Sequence, residues 1–257
     1  MTVFLETLRS RNSLLYIFGW LFLLSAVVSV ILIFTSNKQI LGINAWIKPF
    51  KFFLSSAIFV WTMAWLMHYL TEQNKVTVYS WMVIVVLVFE TGYIALQAAR
   101  GQLSHFNVST SFHSVMFSLM GIAIMIMTLW TGYIGLLFFT NGVVALPISY
   151  LWGIRLGIIV FVVFAIEGGV MGAYMKHTVG TADGGKGLPL VNWSKTNGDL
   201  RIAHFIGMHA LQILPLAGYY FSKSANLFMF KVKRQFYVIC NFLSCKIMKI
   251  EHNNLQV

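Results

Sequence analysis

The chain has 257 residues, of which 58% are hydrophobic and only 10% are charged, whereas a soluble domain is typically about 45–50% apolar and about 25% charged. This composition excludes an ordinary soluble protein and predicts an integral membrane protein whose main partner is the lipid bilayer. The net charge of +11 is expected to attract anionic lipid headgroups. Nucleic acid is not an expected partner, because no soluble surface carries the basic residues.

Several apolar runs are long enough to be membrane spans, which need about 20 helical residues to cross about 30 Å of hydrocarbon. Because that layer offers the backbone no water, the expected fold is an all-α polytopic transmembrane bundle. The first run is too long for a signal peptide and lacks a small-residue cleavage site. Residues 1–221 are therefore predicted to form a bundle with six spans, at residues 13–35, 49–71, 76–99, 111–139, 148–175 and 200–221.

Residues 222–257 form a basic tail with a different expected role. The stretch 226–248 is long enough to span but contains Lys231, Lys233 and Arg234, and each such charge costs about 2.5–3.5 kcal/mol at a helix centre. An amphipathic surface helix is favoured, and a weak seventh span is the alternative. Both cysteines lie in this tail, so they predict neither a disulfide framework nor a metal knuckle.

The six-span arrangement predicts where the polar loops lie. With the N-terminus inside, ten of the 18 Lys and Arg residues fall on the inner side and eight on the outer side, in the direction of the positive-inside rule. The loops at 36–48, 100–110 and 176–199 must then share the outer side, here called the loop side, which is predicted to be periplasmic. These loops hold most of the unusual polar residues. Trp46, Lys48 and Lys51 are expected to anchor this interface or to close the mouth of a cavity.

Ionisable residues inside the spans are candidates for function, because an unpaired charge is costly in a membrane. Glu90, Tyr93 and Gln97 lie along one helix stripe, which is expected to face the bundle interior. Glu167 lies about as deep in the fifth span, and Gln212 is a further buried polar candidate in the sixth. The alternative role for the two acids is a structural hydrogen bond to a neighbouring helix. Gly168 beside Glu167 is expected to serve helix packing.

The histidines predict a haem site. His204 and His209 are five residues apart and diverge by about 140° on a helix, so they cannot easily bind one small ion together. A b-type haem takes two axial imidazoles from different helices. We therefore predict His113 and His209 as axial ligands of haem b. The alternative is that these are hydrogen-bonded histidines and that no cofactor binds.

Further residues complete the haem hypothesis. His105 or His204 would replace an axial ligand if the helix register differs. Arg100 and Arg201 lie at the same membrane face, and their guanidinium groups suit the pairing of haem propionates.

The same residues are compatible with two other functions, a zinc-dependent membrane hydrolase and a transporter. A catalytic zinc needs three protein ligands and an open position, which His105, His113 and His204 can supply in a membrane hydrolase. The buried Glu90 and Glu167 are also typical of a small-ligand or ion transporter. Whether the protein is an enzyme stays open at this stage.

Three stretches carry a resemblance, WIKPFKF at 46–52, QAARGQLSHFN at 97–107 and RIAHFIGMHALQILP at 201–215. They resemble a group of uncharacterised bacterial multi-pass inner-membrane proteins with no known activity. The resemblance covers about residues 42–220 and implies location in a bacterial cytoplasmic membrane. It would also imply a further hydrophobic span after residue 221.

Overall fold

The computed structural model describes residues 2–140, 142–183 and 187–224. Seven helices follow in chain order: α1 Thr2–Arg11, α2 Ser13–Thr35, α3 Ile47–Met67, α4 Gln73–Arg100, α5 Ser111–Thr140, α6 Ile148–Tyr174 and α7 Leu200–Ser224. A two-stranded hairpin, β1 Gln39–Ile40 and β2 Ile43–Asn44, joins α2 to α3.

The helices α2 to α7 are each long and apolar enough to cross a membrane. The predicted all-α bundle with six spans is therefore confirmed for the described part of the chain. Almost all of the predicted tail, from residue 225 onward, lies outside the described residues, and so does the proposed seventh span.

The helix α3 lies at the centre of the bundle. It packs against α2 and α4, while Phe59 stacks on Phe161 of α6 with ring centroids 5.2 Å apart. The α7 side chain Gln212 reaches α3 by donating to Thr62 Oγ1 at 3.2 Å. Because α5 packs on α4 and α6, the helices α3 to α6 form a ring, and α7 lies against α3 and α6.

The antiparallel helices α6 and α7 approach unusually closely. A Cβ atom added to Gly153 would lie 2.5 Å from the Leu214 carbonyl oxygen, and one added to Gly157 would lie 3.1 Å from the Ala210 carbonyl oxygen. Small residues allow such backbone approach between membrane helices. The orientation of α7, and of the polar side chains at its loop-side end, therefore depends on these glycines.

Polar groups at the end opposite the loop side are bonded to nearby backbone and rings. Arg11 donates to the Trp65 carbonyl oxygen at 3.0 Å, and its guanidinium carbon lies 3.7 Å from the Trp65 ring centroid. Arg155 donates twice to the Phe138 carbonyl oxygen, at 3.0 and 2.7 Å. These arginines serve as structural anchors.

Candidate functional site at the loop-side end of the bundle

Three basic side chains from two helices meet at the loop side and are here called the basic cluster: Lys48 and Lys51, the second and fifth residues of α3, and Arg201, the second residue of α7. Lys48 lies close enough to Lys51 and to Glu90 for their charges to interact, and Lys51 likewise lies near Arg201. Within the described ranges, neither lysine has a hydrogen bond or an acid within salt-bridge distance.

The third member of the cluster, Arg201, has a full set of partners. Its Nη2 lies 2.6 Å from Asp199 Oδ2 and its Nε lies 2.9 Å from Asp199 Oδ1. Arg201 also donates to the Asn192 carbonyl oxygen at 2.7 Å, and Asp199 accepts from the Ser194 N–H at 2.8 Å. Burial raises the pKa of Asp199, but the bonds from Arg201 and Ser194 outweigh burial and hold that pKa below its ordinary value. The pair therefore ties the α6–α7 loop to the start of α7.

A second acid, Asp183, holds His177 in the same loop. The Asp183 carboxylate lies 2.6 Å from His177 Nδ1 and accepts from the backbone N–H groups of His177 and Thr178. Burial raises the pKa of Asp183, but the backbone bonds from Thr178 and His177 outweigh it, and the pKa is lowered overall. Asp183 is therefore engaged locally and provides no counter-ion to the lysines.

Aromatic side chains cover the polar groups from the loop side. The His105 ring lies between Phe52 and Phe117, with centroid distances of 5.7 and 6.1 Å. Phe106 contacts Phe117 at 5.6 Å and His177 at 4.8 Å. Gly101 ends α4 with φ +70°, a left-handed conformation that favours glycine, and so turns the 101–110 loop back over the bundle. We call these five rings the aromatic cap.

The imidazole of His105 is held neutral. Burial lowers its pKa well below 6.5, and the charges of Lys48 and His177 lower it further. Burial also lowers the pKa of His177, with a smaller contribution from the Arg201 charge, while Asp183 opposes the shift. Neither imidazole therefore adds a full positive charge to the basic cluster at neutral pH.

The α4 stripe predicted from the sequence is buried along its whole length. Glu90 is 2% exposed, and Tyr93 and Gln97 are also buried. Tyr93 Oη lies 3.1 Å from His113 Nδ1 of α5, and Gln97 Nε2 lies 3.3 Å from the same nitrogen. Gln97 Nε2 also donates to the Leu103 carbonyl oxygen, whereas Gln97 Oε1 is buried without a partner. His113 is thus oriented by α4.

The structure does not bring the predicted haem ligands together. His113 is in the first turn of α5, whereas His209 is nine residues into α7, a difference of roughly 10 Å in depth at about 1.5 Å per residue. His209 Nδ1 lies 3.2 Å from Gln212 Oε1, on the side of α7 that reaches α3. Across the described residues, no hydrogen bond or ring contact joins the two histidines. The haem site stays a prediction.

The residues predicted to bind zinc also lie in separate places. His105 is in the aromatic cap, while His113 is bonded to the α4 stripe. His204 Nδ1 lies 2.6 Å from the Phe164 carbonyl oxygen of α6, and Gly168 leaves room for its ring. Within the part of the chain that is described, no three His, Cys, Asp or Glu side chains form a group able to hold a metal ion. The zinc site likewise stays a prediction.

The remaining candidates lie outside the basic cluster. Arg100 is exposed at the end of α4, and Glu167 on α6 lies near His204 with its Oε2 buried and unpartnered. The His177–Asp183 contact and the aromatic cap were not predicted from the sequence. Lys48 and Lys51 are three residues apart at the start of a span, and this spacing indicates that they share one face of the helix.

Comparison with protein-family models, with curated proteins and with solved structures finds no match to this chain. A bundle of membrane helices assigns no activity by itself. Function therefore has to be inferred from the side chains at the loop-side end.

Proposed function

We propose that this integral membrane protein binds a small monoanion at the basic cluster, entering from the loop side. The observation that carries the proposal is the lack of any ion pair or hydrogen bond for Lys48 and Lys51 among the described residues. The N-terminus of a helix carries a partial positive charge, and a cation in the first turn is disfavoured by about 0.3–1 kcal/mol. An anion bound there would be attracted by both lysines and by the helix N-terminus, and these attractions would offset the repulsion.

The charges around the cluster favour a monoanion. Asp199 balances the charge of Arg201, and Glu90 balances Lys48 whether both groups are ionised or both are neutral. Lys51 supplies the remaining positive charge. One surplus positive charge is left in a partly buried site, where electrostatic interactions are stronger than in water. A monoanion neutralises this surplus, and a dianion would leave a negative charge that is costly to bury.

The surroundings of the cluster support capture from one side of the membrane. The cluster lies beside the aromatic cap, near His105, and beside the α6–α7 loop, to which Arg201 is bonded. Beyond Ser56, the buried side chains of α3 are apolar, including Val60, Met63, Leu66 and Met67. Polar groups at the loop side and apolar side chains further along α3 favour a binding site for a small ligand over a continuous polar path across the bilayer. A transporter would have to move its helices to form such a path.

The proposal is tested by isothermal titration of the purified protein in mild detergent with acetate, nitrate and sulfate. We expect acetate or nitrate to bind more tightly than sulfate. The double variant Lys48→Gln, Lys51→Gln should weaken monoanion binding by at least about tenfold, equivalent to about 1.4 kcal/mol. The matched control is Lys195→Gln, an exposed lysine in the α6–α7 loop, which should leave affinity unchanged.

Two outcomes would contradict the proposal. One is the failure of the wild-type protein to bind any of the three anions. The other is equal affinity in the wild-type protein and in a double variant whose thermal unfolding shows that it is folded.

A b-type haem held by His113 and His209 is a second candidate. It is favoured by His209, whose Nδ1 faces Gln212 Oε1 and leaves the Nε2 lone pair for a metal. At His113 the Gln97 amide N–H donates to Nδ1, which places the ring proton on Nε2, so Gln97 must turn away before this Nε2 could bind iron. The different depths of the two histidines require α5 or α7 to shift before both could bind one iron. A reduced absorption spectrum with a sharp α-band that is lost in His113→Ala or His209→Ala would establish this candidate, and a colourless protein from haem-supplied cells would remove it.

A further inference from the structure

A membrane-facing seam between α3 and α7 runs inward from the basic cluster. Lys51 and Arg201 flank its loop-side end, and the bond from Gln212 to Thr62 crosses it further in. Between these two levels both helices present apolar side chains outward, since Ile58 of α3 is 36% exposed and Phe205 of α7 is 48% exposed. The Phe205 ring lies 4.4 Å from the His209 ring, measured between centroids. The α3–α7 seam is therefore an apolar surface that continues directly from the anion site.

The hydrogen bonds along this seam determine which ring nitrogen of His209 carries the proton. The Thr62 hydroxyl donates to the Ile58 carbonyl oxygen at 2.7 Å, so Thr62 Oγ1 accepts from Gln212 Nε2. Gln212 Oε1 then faces His209 Nδ1 at 3.2 Å and can only accept. The proton of the neutral imidazole is thus on Nδ1, and Nε2 presents a lone pair.

The lone pair of His209 Nε2 has no hydrogen-bond donor among the residues that the structure describes. An unsatisfied acceptor is costly in the hydrocarbon layer, where no water replaces the missing bond. His209 lies eight residues beyond Arg201 on α7, which places it about 12 Å deeper at about 1.5 Å per residue. A ligand that reaches from the cluster to His209 would therefore need an apolar chain and, at that depth, a hydroxyl donor.

We propose that the anion bound by the basic cluster is the head of a single-chain amphiphile. Its carboxylate binds Lys48 and Lys51, its alkyl chain lies along the α3–α7 seam, and a hydroxyl group on the chain donates to His209 Nε2. This inference rests on the proposed function and names the class of its ligand, a hydroxylated fatty acid.

Equilibrium binding of radiolabelled acetate, lauric acid and ω-hydroxylauric acid tests the inference. The protein is placed in nanodiscs of neutral phospholipid, and binding to empty nanodiscs is subtracted. We expect ω-hydroxylauric acid to bind most tightly and acetate least. His209→Phe should lower the affinity for ω-hydroxylauric acid by about three- to tenfold, the effect of one hydrogen bond, and leave lauric acid unchanged. His68→Phe, an exposed position at the opposite end, is the matched control.

A second variant guards against a folding defect in His209→Phe. Thr62→Val removes the acceptor that orients Gln212 without touching His209, and it should reduce the preference for ω-hydroxylauric acid over lauric acid. Equal preference in wild type and both variants would overturn the inference.

The two proposals fail in distinguishable ways. Equal affinity for the three probes, all lost in Lys48→Gln, Lys51→Gln, would leave the anion site intact and overturn the amphiphile. Binding of none of the probes would overturn both proposals.

Discussion

At the scale of single residues, basic side chains in this protein fall into two chemical groups. Arg11 and Arg155 donate to backbone carbonyl oxygens and pack over aromatic rings, so their charges are engaged within the fold. Lys48 and Lys51 have the same interfacial setting, and Lys48 Nζ lies 5.7 Å from the Phe52 ring centroid. Neither lysine, however, donates a hydrogen bond to a described residue. Interfacial lysines usually anchor a helix by reaching headgroups. Here Lys48 lies near Glu90 and His105, and Lys51 lies near Arg201. This placement within the bundle is the basis of the proposed anion site.

The neutral His105 in the aromatic cap predicts a dependence of stability on pH. The pKa of His105 in the folded state lies well below 6.5. At pH 5 this imidazole is therefore protonated to a greater extent in the unfolded chain than in the folded chain, which lowers the free energy of unfolding. Each unit of this depression corresponds to about 1.4 kcal/mol. We expect the melting temperature in detergent to fall as pH is lowered from 7 to 5, and His105→Gln to reduce that fall.

The matched control for His105→Gln is His68→Gln. His68 is exposed after the end of α3, so its removal should leave most of the acid-induced fall in melting temperature. If wild type and His105→Gln lose the same stability between pH 7 and pH 5, His105 is not the buried neutral group that the cap implies.

At the scale of helices, the backbones of α6 and α7 approach closely, and more glycines take part in this contact than the sequence predicted. Gly168 was predicted to serve packing, and it does accept the His204 ring, which would lie 2.8 Å from an added Cβ atom. The backbone approach nearer the opposite end, at Gly153, Gly157 and Gly218, was not predicted. Which glycine faces a neighbouring helix depends on the rotation of both helices, which the spacing of small residues does not specify.

The glycine contact predicts opposite effects for two similar substitutions. In Gly153→Ala the new Cβ meets the Leu214 backbone, which cannot move aside easily, and we expect a loss of about 1–3 kcal/mol in the free energy of unfolding. In Gly121→Ala the new Cβ meets nothing within 4 Å, and the better helix propensity of alanine should give a gain of up to about 1 kcal/mol. Thermal unfolding of both variants in the same detergent measures the difference. Equal melting temperatures would show that α6 and α7 are not so closely packed.

At the scale of the whole molecule, three loops that are distant in the sequence meet at one end of the bundle. The Lys38 ammonium group contacts the Ala99 carbonyl oxygen, and Phe106 contacts His177. Two spans lie between each of these loops and the next, and this even number predicted a common side. The observed contacts follow that pattern. The polar groups of the candidate site come from two of these loops, from the loop-side ends of α3 and α7, and from Glu90 within α4.

This arrangement predicts the labelling pattern of single cysteines. With Cys240 and Cys245 replaced by serine, Ser109→Cys and Thr196→Cys should react alike with a membrane-impermeant maleimide on intact cells. Thr71→Cys, in the connection between α3 and α4, should show the opposite reactivity and react only after permeabilisation if the loop side is periplasmic. All three positions are exposed, so burial does not confuse the comparison. Equal labelling of Thr71→Cys and Thr196→Cys would contradict the six-span topology.

The sequence alone determined the membrane class, the described spans and the common side of the polar loops. The spans are a local property, because a long apolar run in lipid must form a helix to satisfy its own backbone hydrogen bonds. The side of each loop follows from the number of spans before it, because every span crosses the membrane once. Only the tertiary structure decided which polar groups are partners. It bonded His113 to Tyr93 rather than placing it opposite His209. It also paired Arg201 with Asp199, while no acid of the described chain lies within salt-bridge distance of Lys48 or Lys51. These pairings depend on how helices far apart in sequence are rotated and how deep they lie relative to one another. Close packing between side chains determines both the rotation and the depth.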